Sequence, residues 1–441
     1  RRTAPEIYRG TAPVTREPDG RLALGGSGRP VDWVVVMARF EEDSLLDRMA
    51  GRGALDEQLM ERLAEEIARF HAAAERGPEH GGRAGMARVI ESNARAFAEC
   101  PRETFAPGEV ALLDAALSAA LERHGVLLDR RRAEGKVRRC HGDLHLRNVC
   151  LIDGRPTLFD AIEFDDDLAT IDVLYDFAFL LMDMEHRGLR PLANRAFNRY
   201  LDLALEFRGL AGLPLFLACR AAVRAHVSAA SAQAQASRES AARLESEARA
   251  YLALALTLAT PPVPRLVAVG GLSGTGKSTL AKALAPDLGP VPGAVLLRSD
   301  VVRKGLLGAR PTEPLPEEAY RVEVTERVYA TMLERARWAL AAGHSAVLDA
   351  VYGREDHRAA VDRLAWEARC PFTGIWLEAP LDVMVERVGV RREDASDATA
   401  AIVRRQRESV IGRMDWIRID AAGEAPSTAR AARAALGLLE A

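Results

Sequence analysis

The chain has 441 residues, 48% of them hydrophobic and 28% charged, which predicts two or three domains with ample core. A formal net charge of −3 argues against a dedicated nucleic-acid or membrane-surface binder and favours small-molecule partners. Five cysteines (Cys100, Cys140, Cys150, Cys219, Cys370) without a C-x-x-C pair imply neither a zinc site nor a disulfide framework, and no apolar run or leader reads as a membrane segment, so a cytoplasmic protein is expected. In chain order, residues 1–40 read as extended. Turns at Pro18-Asp-Gly20 and Gly25-Gly-Ser-Gly-Arg-Pro30 lie ahead of a strand at Trp33–Met37. Apolar residues then return at helical steps over Ser44–Arg76, Pro107–Ala133 and Leu174 to about Leu258. Thr260-Pro-Pro-Val-Pro264 reads as a linker, which divides the chain into domains 1–259 and 265–441. Beyond it, strand and helix alternate over 266–269, 278–286, 294–298, 315–342, 345–349, 355–368, 372–377, 381–388 and 397–412, with a last strand near Trp416–Ile419. That rhythm predicts a parallel sheet with crossover helices.

The run Gly271-Leu-Ser273-Gly274-Thr275-Gly276-Lys277-Ser278 fits G-x-x-x-x-G-K-[ST] at every fixed position. A buried strand precedes it at Leu266–Val269, and the helix opening at Thr279 presents free N–H groups to an anion. Its glycines let the backbone close around phosphate, Lys277 reaches the β/γ-phosphates and the Ser278 hydroxyl serves Mg²⁺. ATP and Mg²⁺ are therefore the expected cofactors. A strand-to-helix turn that was rich in glycine only by accident would not need Gly, Lys and Ser in this register.

In the first half, Cys140-His141-Gly142-Asp143-Leu144-His145-Leu146-Arg147-Asn148 is followed by Leu158-Phe159-Asp160 and by Asp172 and Asp176. Asp143 reads as the carboxylate that orients or deprotonates an attacking hydroxyl, with Asn148 and Asp160 supplying oxygens to Mg²⁺. These residues resemble the catalytic and metal loops of the aminoglycoside phosphotransferase family, related in fold to protein kinases. The resemblance spans roughly residues 30–230. It implies that Asp143 is the catalytic base and that Asn148 and Asp160 are metal ligands. His141 and His145 read as loop-stabilising residues, Asp172 and Asp176 as scaffolding at a helix start. The acidic run Glu163–Asp167 reads either as a solvated loop or as a face for a cationic substrate.

The departure from that family lies in the phosphate anchor. A kinase-like N-lobe holds ATP with a strand lysine paired to a helix glutamate, yet no lysine precedes Lys136. The chain opens Arg1-Arg2-Thr3 without an initiator Met. Either the missing strand and helix lie upstream of Arg1, or this lobe does not bind ATP productively. On the first alternative, the backbone near Met37-Ala-Arg39 is the expected adenine contact.

In the second half, Asp300 and Arg303 follow a strand at the sheet edge where acceptors bind. Asp300 is expected to orient an acceptor hydroxyl or simply to begin a helix, and Asp349 ends a buried strand, where a residue bonds Mg²⁺-bound water or substrate. Arg387 and Arg391 lie where small P-loop kinases carry a lid whose arginines close over the phosphate. This half resembles the P-loop kinase group that includes gluconate, shikimate and adenylate kinases. The order of the two modules resembles a family of bifunctional bacterial proteins, an aminoglycoside phosphotransferase-like domain ahead of an AAA-type ATP-binding kinase domain.

The fold class expected is α/β and α+β: a kinase-like domain with a truncated N-lobe and a helical C-lobe, then a P-loop NTPase with a parallel sheet flanked by helices. The phosphate-binding set is Gly271, Ser273, Gly274, Thr275, Gly276, Lys277, Ser278 and Thr279. The catalytic set is Asp143, Lys277, Asp300, Asp349, Arg387 and Arg391, with Asn148, Asp160 and Ser278 for metal. The function expected is Mg²⁺-dependent phosphate transfer from ATP to small hydroxyl-bearing molecules by both modules. The alternatives are catalysis by the P-loop half alone, with a regulatory first half, and an ATP-switched interaction protein.

Overall fold

In the computed structural model, the described residues are 3–101, 103–310, 312–390, 395–408 and 412–438. The chain begins as a small antiparallel sheet of β1 (Tyr8–Arg16), β2 (Leu22–Leu24) and β3 (Arg29–Met37), in the order β2-β1-β3. Strand β3 is exposed along its whole length, and Trp33 keeps 61% of its surface accessible.

A helical body follows. The predicted helix 44–76 is two helices, α1 (Leu46–Gly51) and α2 (Glu57–Ala73), parted where Gly53 takes φ 69°. Asp56 then restarts the chain by accepting a hydrogen bond from the Leu59 amide, the ordinary work of an N-cap. Next come α3 (Gly82–Glu99) and α4 (Pro107–Ala133), with proline tolerated in the first turn of α4. Helix α3 escaped the sequence reading because only Met86, Ile90, Asn93 and Phe97 mark its buried stripe, among alanines and arginines that carry no period. Strands β4 (Val137–Arg139), β5 (Val149–Ile152) and β6 (Arg155–Leu158) surround the His-Gly-Asp loop, and one turn of helix, α5 (Asp166–Ala169), leads into β7 (Thr170–Asp172), which pairs with β4. The body closes with α6 (Val173–His186), α7 (Arg190–Ala204), α8 (Leu213–Gln233) and α9 (Arg238–Ala259). Glu206–Gln233 is long and apolar enough to cross a membrane by length and composition, but 67% of its most apolar window is buried within the protein. It is the central packing helix of the body, a role the sequence reading did not assign.

The second half is a five-stranded sheet. In chain order its elements are β8 (Leu266–Gly271), α10 (Lys277–Leu284), β9 (Val295–Arg298), α11 (Ser299–Leu306), α12 (Val322–Ala341), β10 (Ala346–Asp349), α13 (Glu355–Ala368), β11 (Phe372–Glu378), α14 (Leu381–Val390), α15 (Ala400–Arg407), β12 (Ile417–Asp420) and α16 (Ala425–Ala435). The spatial order is β12-β11-β8-β10-β9, every pair parallel. Strand β8 is buried throughout, as the middle strand of a sheet covered on both faces must be. The chain leaves β8 toward β9 on one side and later crosses to β11 on the other. The C-terminal end of β8 is thus the switch point where open α/β sheets form their binding crevice.

The two halves pack into one body. Asn194 and Asn198 on α7 donate to the Ala294 carbonyl at 3.0 and 3.2 Å, and the Leu296 amide donates to Asn198 Oδ1 at 2.6 Å. His344 Nε2 meets the Leu210 carbonyl at 3.2 Å. Because these groups are buried, each bond satisfies a polar atom that would otherwise be stranded. We predict that Asn198→Leu, which orphans the Leu296 amide, lowers stability by about 1–3 kcal/mol. Calorimetry should also resolve the single wild-type unfolding transition into two. An unchanged single transition would mean that the Asn198 bonds are not what couples the halves.

Candidate active sites

The loop after β8 closes over a ring of amides. Gly271 takes φ 141°, and a Cβ there would lie 2.8 Å from the Leu377 carbonyl oxygen; Gly274 takes φ 87°, and its Cβ would meet the Met384 carbonyl oxygen at 2.4 Å. Only glycine fits either position. Gly276 precedes α10, so the first turn of that helix, with Lys277, Ser278 and Thr279, faces the loop interior. The Lys277 ammonium lies over the loop, donating to the Leu272 carbonyl at 2.9 Å. Ser278 Oγ donates to Asp349 Oδ2 at 2.6 Å, and Arg298 Nε lies 3.4 Å from the same oxygen.

A cavity of about 580 Å³ opens from this loop, walled by Ser273, Lys277, Asp300, Arg303, Asp349 and Gln406 among others. Asp300 sits at the start of α11, facing Asp349. Burial, and then the Asp349 charge, push its carboxyl pKa up, while Arg298 and Lys277 only partly offset the rise. Arg303 is buried, donates to the Ala319 carbonyl at 2.6 Å and lies 4.8 Å from the Tyr320 ring centre, so it supports the cavity wall. Asp397 pins the segment before α15 to the rest: it accepts from Lys304 at 3.1 Å, Tyr320 at 2.6 Å and the Leu315 amide at 3.1 Å. Gln406, which the sequence did not mark, accepts from the Ser273 amide at 2.9 Å.

Arg387 lies elsewhere. It donates to the carbonyls of Ala421, Ala422 and Gly423 at 2.7, 3.2 and 2.7 Å, holding the turn after β12 on a separate cleft of about 810 Å³ that also touches Thr275 and Gly276. Its guanidinium is thus bonded to backbone around a cleft distinct from the one that Asp300 lines. Arg391 lies outside the described residues.

The second constellation surrounds Asp143. Asn148 Nδ2 donates to the Asp143 carbonyl at 2.9 Å and to its carboxylate at 2.8 Å, with His145 Nε2 3.4 Å from that carboxylate. Burial works to raise the Asp143 pKa, but the hydrogen bond and charge of His145, with Arg220 and His141, outweigh it and bring the value down to about 2. Asp160 takes φ 60° and is exposed, its amide donating to the Tyr8 hydroxyl at 2.8 Å. The flanking backbone ties it to the loop: the Phe159 amide donates to the Asn148 carbonyl at 3.0 Å, and His141 Nε2 meets the Phe159 carbonyl at 2.8 Å.

Two scaffold acids differ in what they hold. Asp172 caps α6 through the Leu174 amide at 2.9 Å and takes both arms of Arg131 at 2.7 and 2.8 Å. Asp176 does not serve its own helix. It accepts from the His141 and Gly142 amides at 3.1 and 2.8 Å and pairs with His71 at 3.0 Å. Lys136, the first lysine in the chain, is bound to Glu206 at 2.5 Å. Within the stretch expected to meet adenine, the Ala38 amide donates to the Ile7 carbonyl at 2.7 Å.

Residues 9–213 match the model described as the phosphotransferase enzyme family, and residues 266–411 match the model described as an AAA domain. An uncharacterized protein of Mycobacterium tuberculosis is 31% identical over 385 residues, an alignment that covers 86% of this chain and 75% of that protein. The chain belongs to the same family as that protein. An adenylyl-sulfate kinase of Myxococcus xanthus is 36% identical over 121 residues, covering 26% of this chain and 59% of that protein. Among solved structures, a gluconokinase from Sinorhizobium meliloti aligns at 21% identity and a TM-score of 0.28, over 40% of this chain and 92% of its own. The two-module family thus joins a phosphotransferase domain to a nucleotide-binding AAA domain, and the kinase-like and P-loop folds expected from the motifs are those found.

In this family member the His-Gly-Asp loop should depend on Asp176. Asp176→Ala strands two buried amides and a buried imidazole, a change expected to cost about 3 kcal/mol or more. Burial works against the Asp176 charge, but His71, His141 and Arg220 prevail and lower its pKa in the fold. The deficit is therefore full above the unfolded carboxyl's pKa of about 4 and shrinks as pH falls through the lower folded value. Thermal unfolding of both proteins at pH 7 and pH 3.5 checks the magnitude and the sign.

Proposed function

We propose that both modules transfer phosphate from Mg²⁺-bound ATP to hydroxyl groups of small molecules, with residues 1–259 and 265–441 as the two catalytic units, 260–264 as the joint between them, and the cytoplasm as the working compartment. The observation that carries this reading is the Ser278–Asp349 hydrogen bond beside Lys277, at the ends of parallel strands β8 and β10. A hydroxyl in the first turn of a helix and a carboxylate beside it would form a hard-oxygen donor set suited to holding Mg²⁺. Mg²⁺, when bound, offsets phosphate charge.

The protein's own residues do the rest. Loop amides from Ser273 to Thr279 bind phosphate oxygens, and Lys277 moves from the Leu272 carbonyl to the β/γ-phosphates. Asp300, made more basic by burial and by Asp349, accepts the proton of an acceptor hydroxyl held in the 580 Å³ cavity. Gln406 releases the Ser273 amide as phosphate takes its place. Arg387 shapes the 810 Å³ cleft next to Gly276, which is sized for the base and ribose. In the first module Asp143, ionised at any physiological pH, orients the attacking hydroxyl. Asn148 and Asp160 are its metal ligands, the Asn148 nitrogen being committed to Asp143 and its oxygen left as donor.

A second reading keeps only the P-loop module catalytic. It is favoured by one observation: Lys136, just ahead of the His-Gly-Asp loop, is bound to Glu206. ADP release on a panel of sugars, amino sugars and amino alcohols separates the two. Two active modules predict that Lys277→Ala and Asp143→Ala each abolish turnover with a different acceptor, Asp143→Ala by about 10²–10⁴-fold. If Asp143→Ala leaves every acceptor's turnover unchanged while Lys277→Ala removes all of it, the first module is not a catalyst.

The pH profiles should differ as well. The raised Asp300 pKa places the acid limb of P-loop turnover above the ordinary carboxylate range, and Asp300→Asn should remove that limb along with most of the rate. Turnover that depends on Asp143 should show no carboxylate limb down to about pH 5, since its pKa is about 2.

A further inference from the structure

A cavity of about 990 Å³ lies between the two modules, apart from both sites described above. One wall is α2 and α7, with Ala68, Arg138 from β4 nearby, and Arg199; the other is the P-loop module, with Lys282, Leu296 and Arg298. Its size suits a metabolite-sized ligand. Among the described residues, eight lysine and arginine side chains line it against four carboxylates, Glu61, Glu65, Asp202 and Glu206. Several cations are matched by these acids, Arg199 by Glu65 at 2.6 Å and Lys136 by Glu206 at 2.5 Å. Arg138 is held differently. Its guanidinium donates to the carbonyls of Gly135, Ala72 and Ala74 at 3.1, 2.8 and 3.0 Å, which fix the group in place without neutralising it. The fourth acid, Asp202, is pushed up to about 6 by burial, although Arg199, Arg335, Arg298 and Arg195 all pull it down. Most of the lining cations are paired with an acid, Arg195 with Glu61 and Arg310 with Glu313 among them, and what the wall offers a ligand is planar guanidinium groups, the geometry that recognises phosphate oxygens in pairs.

Arg298 belongs to two places at once. It lines this cavity and lies 3.4 Å from Asp349, the carboxylate bonded to Ser278 in the phosphate loop. We propose that the cavity between the modules binds a phosphorylated small molecule whose anionic group competes with Asp349 for Arg298. Drawing Arg298 away frees the Asp349 charge for the metal–nucleotide complex, so the ligand tightens Mg-nucleotide binding, and by reciprocity the nucleotide tightens the ligand. The site is separate from the acceptor cavities and does not depend on which acceptor either module uses.

The test is calorimetric titration of fructose 1,6-bisphosphate, used as a two-phosphate probe, into full-length protein saturated with Mg²⁺ and the non-hydrolysable analogue AMP-PNP so that nucleotide sites are filled. Saturable binding is expected. Arg199→Gln, which removes one cation, and Ala68→Trp, which fills the space without touching charge, should each weaken it at least tenfold while Mg–AMP-PNP affinity without probe stays unchanged. Two different chemical changes guard against a misfolded variant, and each is checked by its unfolding temperature. No saturable binding, or binding unaffected by both substitutions, overturns the site. Binding that leaves Mg–AMP-PNP affinity the same in the wild type overturns the role given to Arg298, whereas a several-fold tightening that Arg298→Gln abolishes supports it.

Discussion

The hydrogen bond from Ser278 to Asp349 ties the first turn of α10 to the end of β10, and the P-loop half of the protein is organised around that contact. It requires β8 and β10 to be adjacent, parallel and level at their C-terminal ends, which the register Val269 opposite Asp349 provides. It also requires the loop between Gly271 and Lys277 to turn back tightly enough for the helix to begin beside the carboxylate. The backbone at Gly271 and Gly274 does this in conformations closed to any side chain. Once these are fixed, Asp300 and Arg298 at the neighbouring strand end converge on the same carboxylate. Burial beside Asp349 leaves Asp300 more basic than an ordinary carboxylate.

The first module is built on a similar logic with different parts. A fully buried carboxylate, Asp176, gathers two adjacent loop amides and an imidazole from a distant helix and so gives the His-Gly-Asp loop its shape. Asp183 performs the same service two turns later, accepting from the Leu146 amide at 3.1 Å. Acids on a single helix thereby set the loop that carries Asp143 and Asn148. Rigid support of this kind is what allows a side chain to be held ready for phosphoryl transfer, in which positioning and charge do most of the work.

Much of this was legible in the residues. The phosphate loop follows from a spacing that no ordinary turn needs, the parallel sheet from apolar runs alternating with helical periods, and Asp349 from its place at a buried strand's end. Other features depend on distant partners and leave no local trace. Gln406 meets Ser273 across more than a hundred residues, and the amide clients of Asp176 lie far back in the chain. The carbonyls that hold Arg387 are likewise made by a turn after β12, more than thirty residues further on. Helix α8 is apolar enough by composition to pass for a membrane span, and only the neighbouring helices that bury it make it a core element.

The two halves share a junction whose bonds run from α7 to the strand beside the phosphate loop, so the nucleotide site and the helical body form one mechanical unit. The central claim is that Ser278 and Asp349 form the metal end of an ATP site. A crystal structure of the protein with Mn²⁺ and AMP-PNP, phased to reveal anomalous scattering from manganese, tests it directly. The account predicts a manganese peak within bonding distance of Ser278 Oγ, between the β- and γ-phosphates and next to the Asp349 carboxylate, with Lys277 turned onto the phosphates. Well-ordered nucleotide with its metal away from both residues, or a loop that excludes phosphate, would contradict it.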